Sequence, residues 1–375
     1  MKIGLLGCGV VGSEVLHIID ILNATTMSDI EITKILEKRV ICETRITNNI
    51  DDILNDNSID TIVEVMGGIH PAYEFICAAL KAKKNVVSAN KAVIAKYFKE
   101  FNQLAIDNHV QFKIEASVGG GIPWIKELQR ILRMDKISSF SGIMNGTTNY
   151  ILDNMHKNEV DFDEVLKKAQ ELGYAEADPT ADIEGYDIRN KVAITASIAY
   201  KGYLNVKDIP TIGISKIKKA DIDYFKNHGV TCKLLGSSKN NGNSISLFVC
   251  PTLTTNIEGY VESNLNITSC TSNYLGKVQL IGQGAGGAPT ASAIVSDCLD
   301  IYENIYTPFN LEKELIIDNN EQYHFYVRCN PNDFNKELSI TYEKDDNYVY
   351  MKTKCMAIHE VLSYYKDKDC FIAIY

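Results

Sequence analysis

The chain opens on an apolar run at 2–6 that predicts a strand, and from Val11 the apolar residues fall at helical spacing (Val11, Val15, Ile18, Ile19, Leu22). Strand-like runs follow at 30–36, 59–65, 85–87 and 111–116, with a helical stretch at 72–82 between the second and third. This alternation predicts an α/β fold of Rossmann type, a doubly wound parallel sheet with helices on both faces. After Met134 the rhythm changes. A strand is expected at 137–143, helices at 151–157, 162–172 and 187–199, and strands at 231–236, 244–251 and 273–281. That pattern suits an inserted α+β domain with an antiparallel or mixed sheet. The glycines of 282–287 then open an apolar helix through Ile301, which suits a return to the first domain. The last stretch reads as a strand at 322–329, paired strands at 338–353, then helix and strand at 356–375. The expected division is 1–134 completed by 282–305, then 135–281, then a tail over 311–375.

Several of these junctions carry chemistry. Gly7-Cys8-Gly9-Val10-Val11-Gly12 lies between the first strand and the first helix. There Gly7 permits a tight turn, Gly9 lets the backbone approach a pyrophosphate, and Gly12 lets helix and strand pack closely. The first helical N–H groups, including those of Val10 and Val11, then face the phosphates. The second strand ends in Glu37-Lys38-Arg39. An acid there suits the ribose hydroxyls of NAD, while Lys38 or Arg39 suits the extra phosphate of NADP, so the cofactor stands as NAD(P). Ser88-Ala89-Asn90-Lys91-Ala92 follows a later strand, at the carboxyl end where open α/β sheets bind ligands. Three glycines in Ser117-Val118-Gly119-Gly120-Gly121-Ile122-Pro123 predict a tightly folded loop with exposed carbonyls.

The densest chemistry lies between Tyr174 and Lys191, where Glu176, Asp178, Asp182, Glu184 and Asp187 fall within a dozen residues. Asp187 and Lys191 stand at i, i+4 on the expected helix, which puts carboxylate and ammonium on one face. A lysine among carboxylates is a candidate proton donor and acceptor, since burial and neighbours tune its pKa.

Composition narrows the classes. A 375-residue chain with 45% hydrophobic and 23% charged residues is that of a globular protein of two or three domains. Its net charge of −10 argues against nucleic acid as partner. No apolar run reaches the roughly 20 residues of a membrane helix, and the opening residues lack a basic-then-apolar pattern, so no signal sequence is expected. The ten cysteines (8, 42, 77, 232, 250, 270, 298, 329, 355 and 370) show no Cys-x-x-Cys pair or zinc spacing, which suits a reducing compartment; the expectation is cytoplasmic.

Taken in order over residues 1 to about 305, these motifs resemble homoserine dehydrogenase. The resemblance rests on Gly7–Gly12, Ser88–Ala92, Glu115–Pro123, Gly142–Tyr150, Gly173–Lys191 and Gly284-Ala285-Gly286. It implies interconversion of L-homoserine and L-aspartate 4-semialdehyde with NAD(P), in threonine, isoleucine and methionine biosynthesis. Lys191 matches the family's acid/base, and Asp187 the aspartate that binds homoserine beside it. Glu176 and Gly173 match positions lining the nicotinamide and substrate cleft, Lys91 a second active-site lysine, and Gly286 a cofactor contact. Glu115, Val118, Gly120 and Ile122 match a monovalent-cation site (Na or K) built largely from main-chain oxygens. Where the family often has two adjacent acids, this chain has Ala181-Asp182, so Asp182 alone is kept for substrate. The inserted domain is expected to bind substrate and to dimerise, giving a homodimer or higher homo-oligomer.

The tail resembles an ACT-type regulatory module with its first crossing cut short. The 330–336 stretch is too brief for a helix, so packing or oligomerisation is expected rather than threonine sensing. Two rivals remain: another amino-acid-pathway dehydrogenase, or a nucleotide-sensing regulator that kept the fold without catalysis. Against the regulator stands the retention of both Lys191 and Asp187. A thioester-forming aspartate semialdehyde dehydrogenase needs a catalytic cysteine with a partner histidine, and the sequence offers no such pair.

Overall fold

A computed structural model describes residues 1–26, 29–39 and 43–375; Cys42 lies outside the described residues. The chain divides into two compact units. The first comprises Met1–Met134, Ile194–Leu204 and Gln283–Glu314, the second Asp135–Ala193, Asn205–Gly282 and Leu315–Tyr375.

The first unit is built on β1 (Lys2–Leu6), β2 (Glu31–Leu36), β3 (Ile46–Thr47), β4 (Thr61–Glu64), β5 (Asn85–Ser88) and β6 (Phe112–Lys113). They lie in the order β3-β2-β1-β4-β5-β6, all parallel. Such strands read as continuous apolar runs because both faces are covered. The helices are α1 (Val10–Thr26), α2 (Asp51–Leu54), α3 (Ala72–Lys81), α4 (Lys91–Asp107) and α5 (Trp124–Ile131). The helix Gly287–Tyr302 closes the unit: its Ala291, Ile294, Val295 and Cys298 share one apolar core with Ile3, Leu5, Val15, Ile19, Val63 and Val87. The α/β class expected from the sequence is therefore the one observed.

One strand is shorter than expected. The 111–116 run pairs only at Phe112 and Lys113, then tightens into a 3₁₀ turn at Glu115–Ser117, with Ser117 N donating to Ile114 O at 2.9 Å. That turn directs the Glu115 carboxylate at the amides of Ile125 and Lys126, which open α5 (3.0 and 2.7 Å). Helix-end donors left over by the backbone ladder are thereby satisfied.

The second unit holds a nine-stranded mixed sheet in the order Gly276–Gln283, Leu265–Ser272, β7 (Ile137–Ile143), Thr231–Asn240, Ile245–Thr254, Phe371–Ile374, Phe325–Cys329, Val349–Thr353, Ser339–Lys344. Its helices include α6 (Gly146–Asn158), α7 (Phe162–Glu171), α8 (Thr180–Ile183) and, as far as Ala193, α9 (Tyr186–Ala199). The strand Leu265–Ser272 was not expected, because buried Asn266, Thr268, Ser269 and Ser272 break its apolar signature. The strand placed at 273–281 begins instead at Gly276. Asn273, Tyr274 and Leu275 form the turn before it, their amides donating to the Asp135 carboxylate at 3.1, 2.8 and 3.3 Å. Helix Lys219–Asn227 also escaped the periodicity: its apolar stripe is little more than Ile222 and Phe225.

The tail continues this sheet. Phe371–Ile374 lies parallel to Ile245–Thr254, and the other three tail strands follow, antiparallel to one another. Between the first two, at 330–338, stand only the 3₁₀ turns Pro331–Asp333 and Lys336–Leu338. Phe248 and Cys250 share one apolar core with Phe325, Val327, Met351, Ile358 and Ile372. Arg328, fully buried, donates through Nε to both oxygens of fully buried Asp221 (3.0 and 2.9 Å) and through a terminal nitrogen to Lys216 O (2.6 Å).

Candidate active site

In the second unit the acid-rich segment turns into α9 at Gly185. Its φ of +78° and the closeness of Thr211 and Val249, 3.1 Å from any added Cβ, favour glycine there. Asp187 then lies in the first turn of α9 and Lys191 one turn on, with Oδ2 and Nζ 2.8 Å apart. This is no surface pair: Asp187 is 4% exposed and Lys191 6%. Lys191 Nζ also donates to Met144 O at 2.6 Å, so the nitrogen is fixed from two elements.

Asn145 joins the acids together. Its Nδ2 donates to Asp182 Oδ1 (2.7 Å) and Asp187 Oδ2 (2.9 Å), while its Oδ1 caps α6 through Thr148 N (2.8 Å). The helix expected from Ile151 thus starts earlier, with Asn145 as the cap and Gly146 as the first residue of α6. Sequence reading passed over Asn145, although an asparagine before Gly-Thr-Thr is an N-cap signal whose amide keeps donors for other work. Thr147 Oγ1 donates to Tyr174 O at 2.6 Å and ties the acid-rich loop to the same helix. The structure therefore gathers Asp182, Asp187 and Lys191. Glu176 and Gly173 stay on an exposed loop, with Gln170 Nε2 donating to Glu176 O at 3.1 Å.

In the first unit, Gly7 has φ +98° and its amide donates to Leu36 O at 3.0 Å. A Cβ on Gly12 would lie 2.2 Å from Gly7 O, whereas one on Gly9 would meet nothing within 4 Å. That open side suits a ligand laid on the loop. Val10 starts α1 and is 75% exposed, with Val11 next to it half-buried. Glu37 at the end of β2 is saturated: Oε1 accepts from Lys38 N, Arg39 N and Arg39 Nε, and Oε2 from Cys8 N and an Arg39 terminal nitrogen (2.7–3.1 Å). Arg39 holds the Glu37 carboxyl down to about 2. The same guanidinium donates to Cys8 O at 2.9 Å, while Lys38 is exposed. Lys91 opens α4 directly after its cap, Asn90, whose Oδ1 accepts from Val93 N at 3.3 Å. Gly286, φ +120°, precedes the helix Gly287–Tyr302.

Glu115, Val118, Gly120 and Ile122 are each buried, while Gly121 between the last two is exposed. Gly119 and Gly120 take φ of +86° and +56°, and a Cβ on Gly120 would lie 2.6 Å from the Gly284 carbonyl carbon. Asp297 Oδ2 accepts the Glu115 amide at 2.8 Å. Burial, then the neighbouring Asp297, pushes the Glu115 carboxyl up to about 8; burial pushes Asp297 to about 7. Among the described residues no group of three or more His, Cys, Asp or Glu side chains could hold a metal ion.

Two family profiles match: "Homoserine dehydrogenase, NAD binding domain" over residues 7–115 and "Homoserine dehydrogenase" over 123–299. The homoserine dehydrogenase of Synechocystis is 40% identical over 316 residues, 80% of this chain and 73% of that protein. That of Bacillus subtilis is 37% identical over 318 residues, 81% and 73% of the two chains. A crystal structure of a homoserine dehydrogenase from Thiobacillus denitrificans superposes with a TM-score of 0.89 at 29% identity, covering 100% of this chain and 97% of its own.

Proposed function

Because this chain belongs to the homoserine dehydrogenase family, we propose a residue-level account of how it works as that NAD(P)-dependent oxidoreductase, interconverting L-homoserine and L-aspartate 4-semialdehyde. The buried Asp187–Lys191 pair carries the account. When bound, the nicotinamide accepts or supplies the hydride at the carbon bearing oxygen. Lys191, as the neutral amine, takes the hydroxyl proton as homoserine is oxidised and, as the ammonium, returns it to the carbonyl oxygen in reduction. Asp187, with Asp182, receives the substrate ammonium, and Asn145 keeps both carboxylates at fixed positions. Lys91 is a second active-site lysine. Exposed Glu176 and Gly173 are the further candidates for lining the substrate and nicotinamide cleft.

For the cofactor, Gly7, Gly9 and Gly12 with the amides of Val10 and Val11 form the phosphate seat, and Gly286 adds a contact. The saturation of Glu37 by Arg39 favours NADP: the acid's oxygens are taken, and a guanidinium stands where a 2′-phosphate needs a cation. Lys38 is a further candidate for that phosphate. The glycine-bent loop also fits a weakly held sodium or potassium ion on the main-chain oxygens of Glu115, Val118, Gly120 and Ile122, since neutral carbonyls suit a hard cation of low charge. Such an ion would brace the loop.

Exposed Tyr274, Leu275 and Ile281 near an edge of the nine-stranded sheet support assembly into a homodimer. Cys8, Cys77, Cys232, Cys250, Cys298, Cys329, Cys355 and Cys370 form no disulfide, which suits the cytoplasm. No helix among the described residues is long and apolar enough to cross a membrane. The ACT-like strand order of the tail lacks its first helix, and we assign the tail to packing rather than threonine sensing.

Initial rates of homoserine oxidation with NAD and NADP in turn, with and without sodium, potassium and threonine, test this account. Oxidation with NADP preferred supports it. Binding of nucleotide without turnover on homoserine would leave the regulator reading standing instead.

A further inference from the structure

Unit one buries a carboxyl that the chemistry above does not use. Glu64 is the last residue of β4, is 0% exposed, and has its pKa raised by burial. Its hydrogen-bond partners are neutral: Ser88 Oγ donates to Oε2 at 2.6 Å, and Met66 N and Asn90 Nδ2 donate to Oε1 at 2.9 and 3.4 Å. A buried acid without a counter-charge is costly, and an apolar side chain of similar size would fill the space without that cost. Packing alone does not account for it.

The partners show what the acid holds. Ser88 ends β5, and its Oγ in turn accepts Asn90 N at 3.2 Å. Asn90 Nδ2 donates to Gly68 O at 2.6 Å and its Oδ1 caps α4, the helix that begins with Lys91. Met66 leads into Gly67 and Gly68, both at positive φ (+75° and +72°). One carboxyl thus ties the ends of two adjacent strands to the turn and the helix start at the ligand edge of the sheet.

We infer that Glu64 is a positioning residue, setting Lys91 and the 67–68 glycine turn through Ser88 and Asn90. The inference rests on the reading of Lys91 as an active-site residue. Glu64→Leu, which removes all three hydrogen bonds, should lower kcat about tenfold or more, the scale of a misplaced catalytic group. NADPH affinity should change little. Glu64→Gln, whose amide oxygen can still accept from Met66 and Asn90, should stay within about threefold of the parent, the scale of one weak hydrogen bond. If the leucine variant does not fold, Ser88→Ala breaks the same chain of contacts more gently and should cost a few-fold in kcat. The deciding readout is the Lys91→Ala background: there each variant should add almost nothing. A full additional loss in that background, or a folded Glu64→Leu enzyme at parent kcat, would overturn the inference. Parent turnover of Lys91→Ala alone would instead sink the reading of Lys91.

Discussion

Two buried ion pairs in the second unit invite comparison. Asp221–Arg328 is 0% exposed on both sides, and Asp187–Lys191 is 4% and 6% exposed. Each joins an aspartate near a helix start to a cation 2.8–2.9 Å away. The cations differ in what they can do. Arginine keeps its charge and presents a rigid fork, here Nε on both Asp221 oxygens and a terminal nitrogen on Lys216 O, with Tyr326 Oη donating to Asp221 at 2.7 Å. Lysine is a point donor whose proton can leave. The first pair belongs to architecture, locking the tail strand Phe325–Cys329 to helix Lys219–Asn227. The second, on the proposed mechanism, belongs to chemistry.

The comparison breaks most visibly under Arg328→Met. Stranding Asp221 in the core should cost about 3–5 kcal/mol of unfolding free energy, read by urea denaturation. The protein that remains folded should keep near-parent kcat. Adding Asp221→Leu should recover much of the loss, since a buried pair replaced by apolar groups is often neutral. If Arg328→Met left stability intact and lowered kcat instead, the division of roles between the two pairs would be wrong.

Next in size is Lys191→Arg. It keeps a cation beside Asp187 but not a removable proton, so kcat should fall by about 10² in initial-rate assays. Recovery to within threefold of the parent would mean that charge, not proton transfer, is what position 191 supplies. Asp187→Asn should do less: about a tenfold rise in homoserine KM, from exchanging a charged hydrogen bond for a neutral one. An unchanged KM would place the substrate ammonium elsewhere.

The smallest effects belong to a third pair, Glu37–Arg39, whose arginine side chain is 62% exposed. Arg39→Ser should raise the NADP KM a few-fold while sparing NAD. Glu37's folded pKa of about 2 lies below its ordinary 4.5. Its pairing therefore contributes stability above pH 4.5 that is lost as the pH falls through about 2. The variant should melt slightly below the parent at pH 6, and the two curves should converge near pH 2. A gap that persists at pH 2 would show that the arginine acts through packing.

The comparison also shows what the sequence could and could not disclose. The i, i+4 spacing of Asp187 and Lys191 was legible, and so were the glycine loop and the alternation that builds the parallel sheet. Burial of the pair was not, because it depends on Met144 and Asn145, more than forty residues earlier in the chain. Asn145 escaped because one side chain serves both as a helix cap and as a clamp on two acids. The polar strand Leu265–Ser272 and the short strand Phe112–Lys113 were misjudged because buried polar partners, not apolar periodicity, decide them. Arg328 lies in a tail that reads as a separate module. Its partner on helix Lys219–Asn227, which the periodicity did not reveal, joins the strand pairing and shared apolar core that make the tail part of the second unit.

The central claim is that Lys191 moves the proton, and Lys191→Ala tests it most directly. Turnover should be measured in both directions, homoserine oxidation and semialdehyde reduction, alongside NADPH binding and thermal melting. The account predicts kcat lower by about 10² or more in both directions, with cofactor affinity near the parent's and a lowered melting temperature, because Asp187 loses its buried counter-charge. A folded variant that binds NADPH and turns over at close to the parent rate would contradict it.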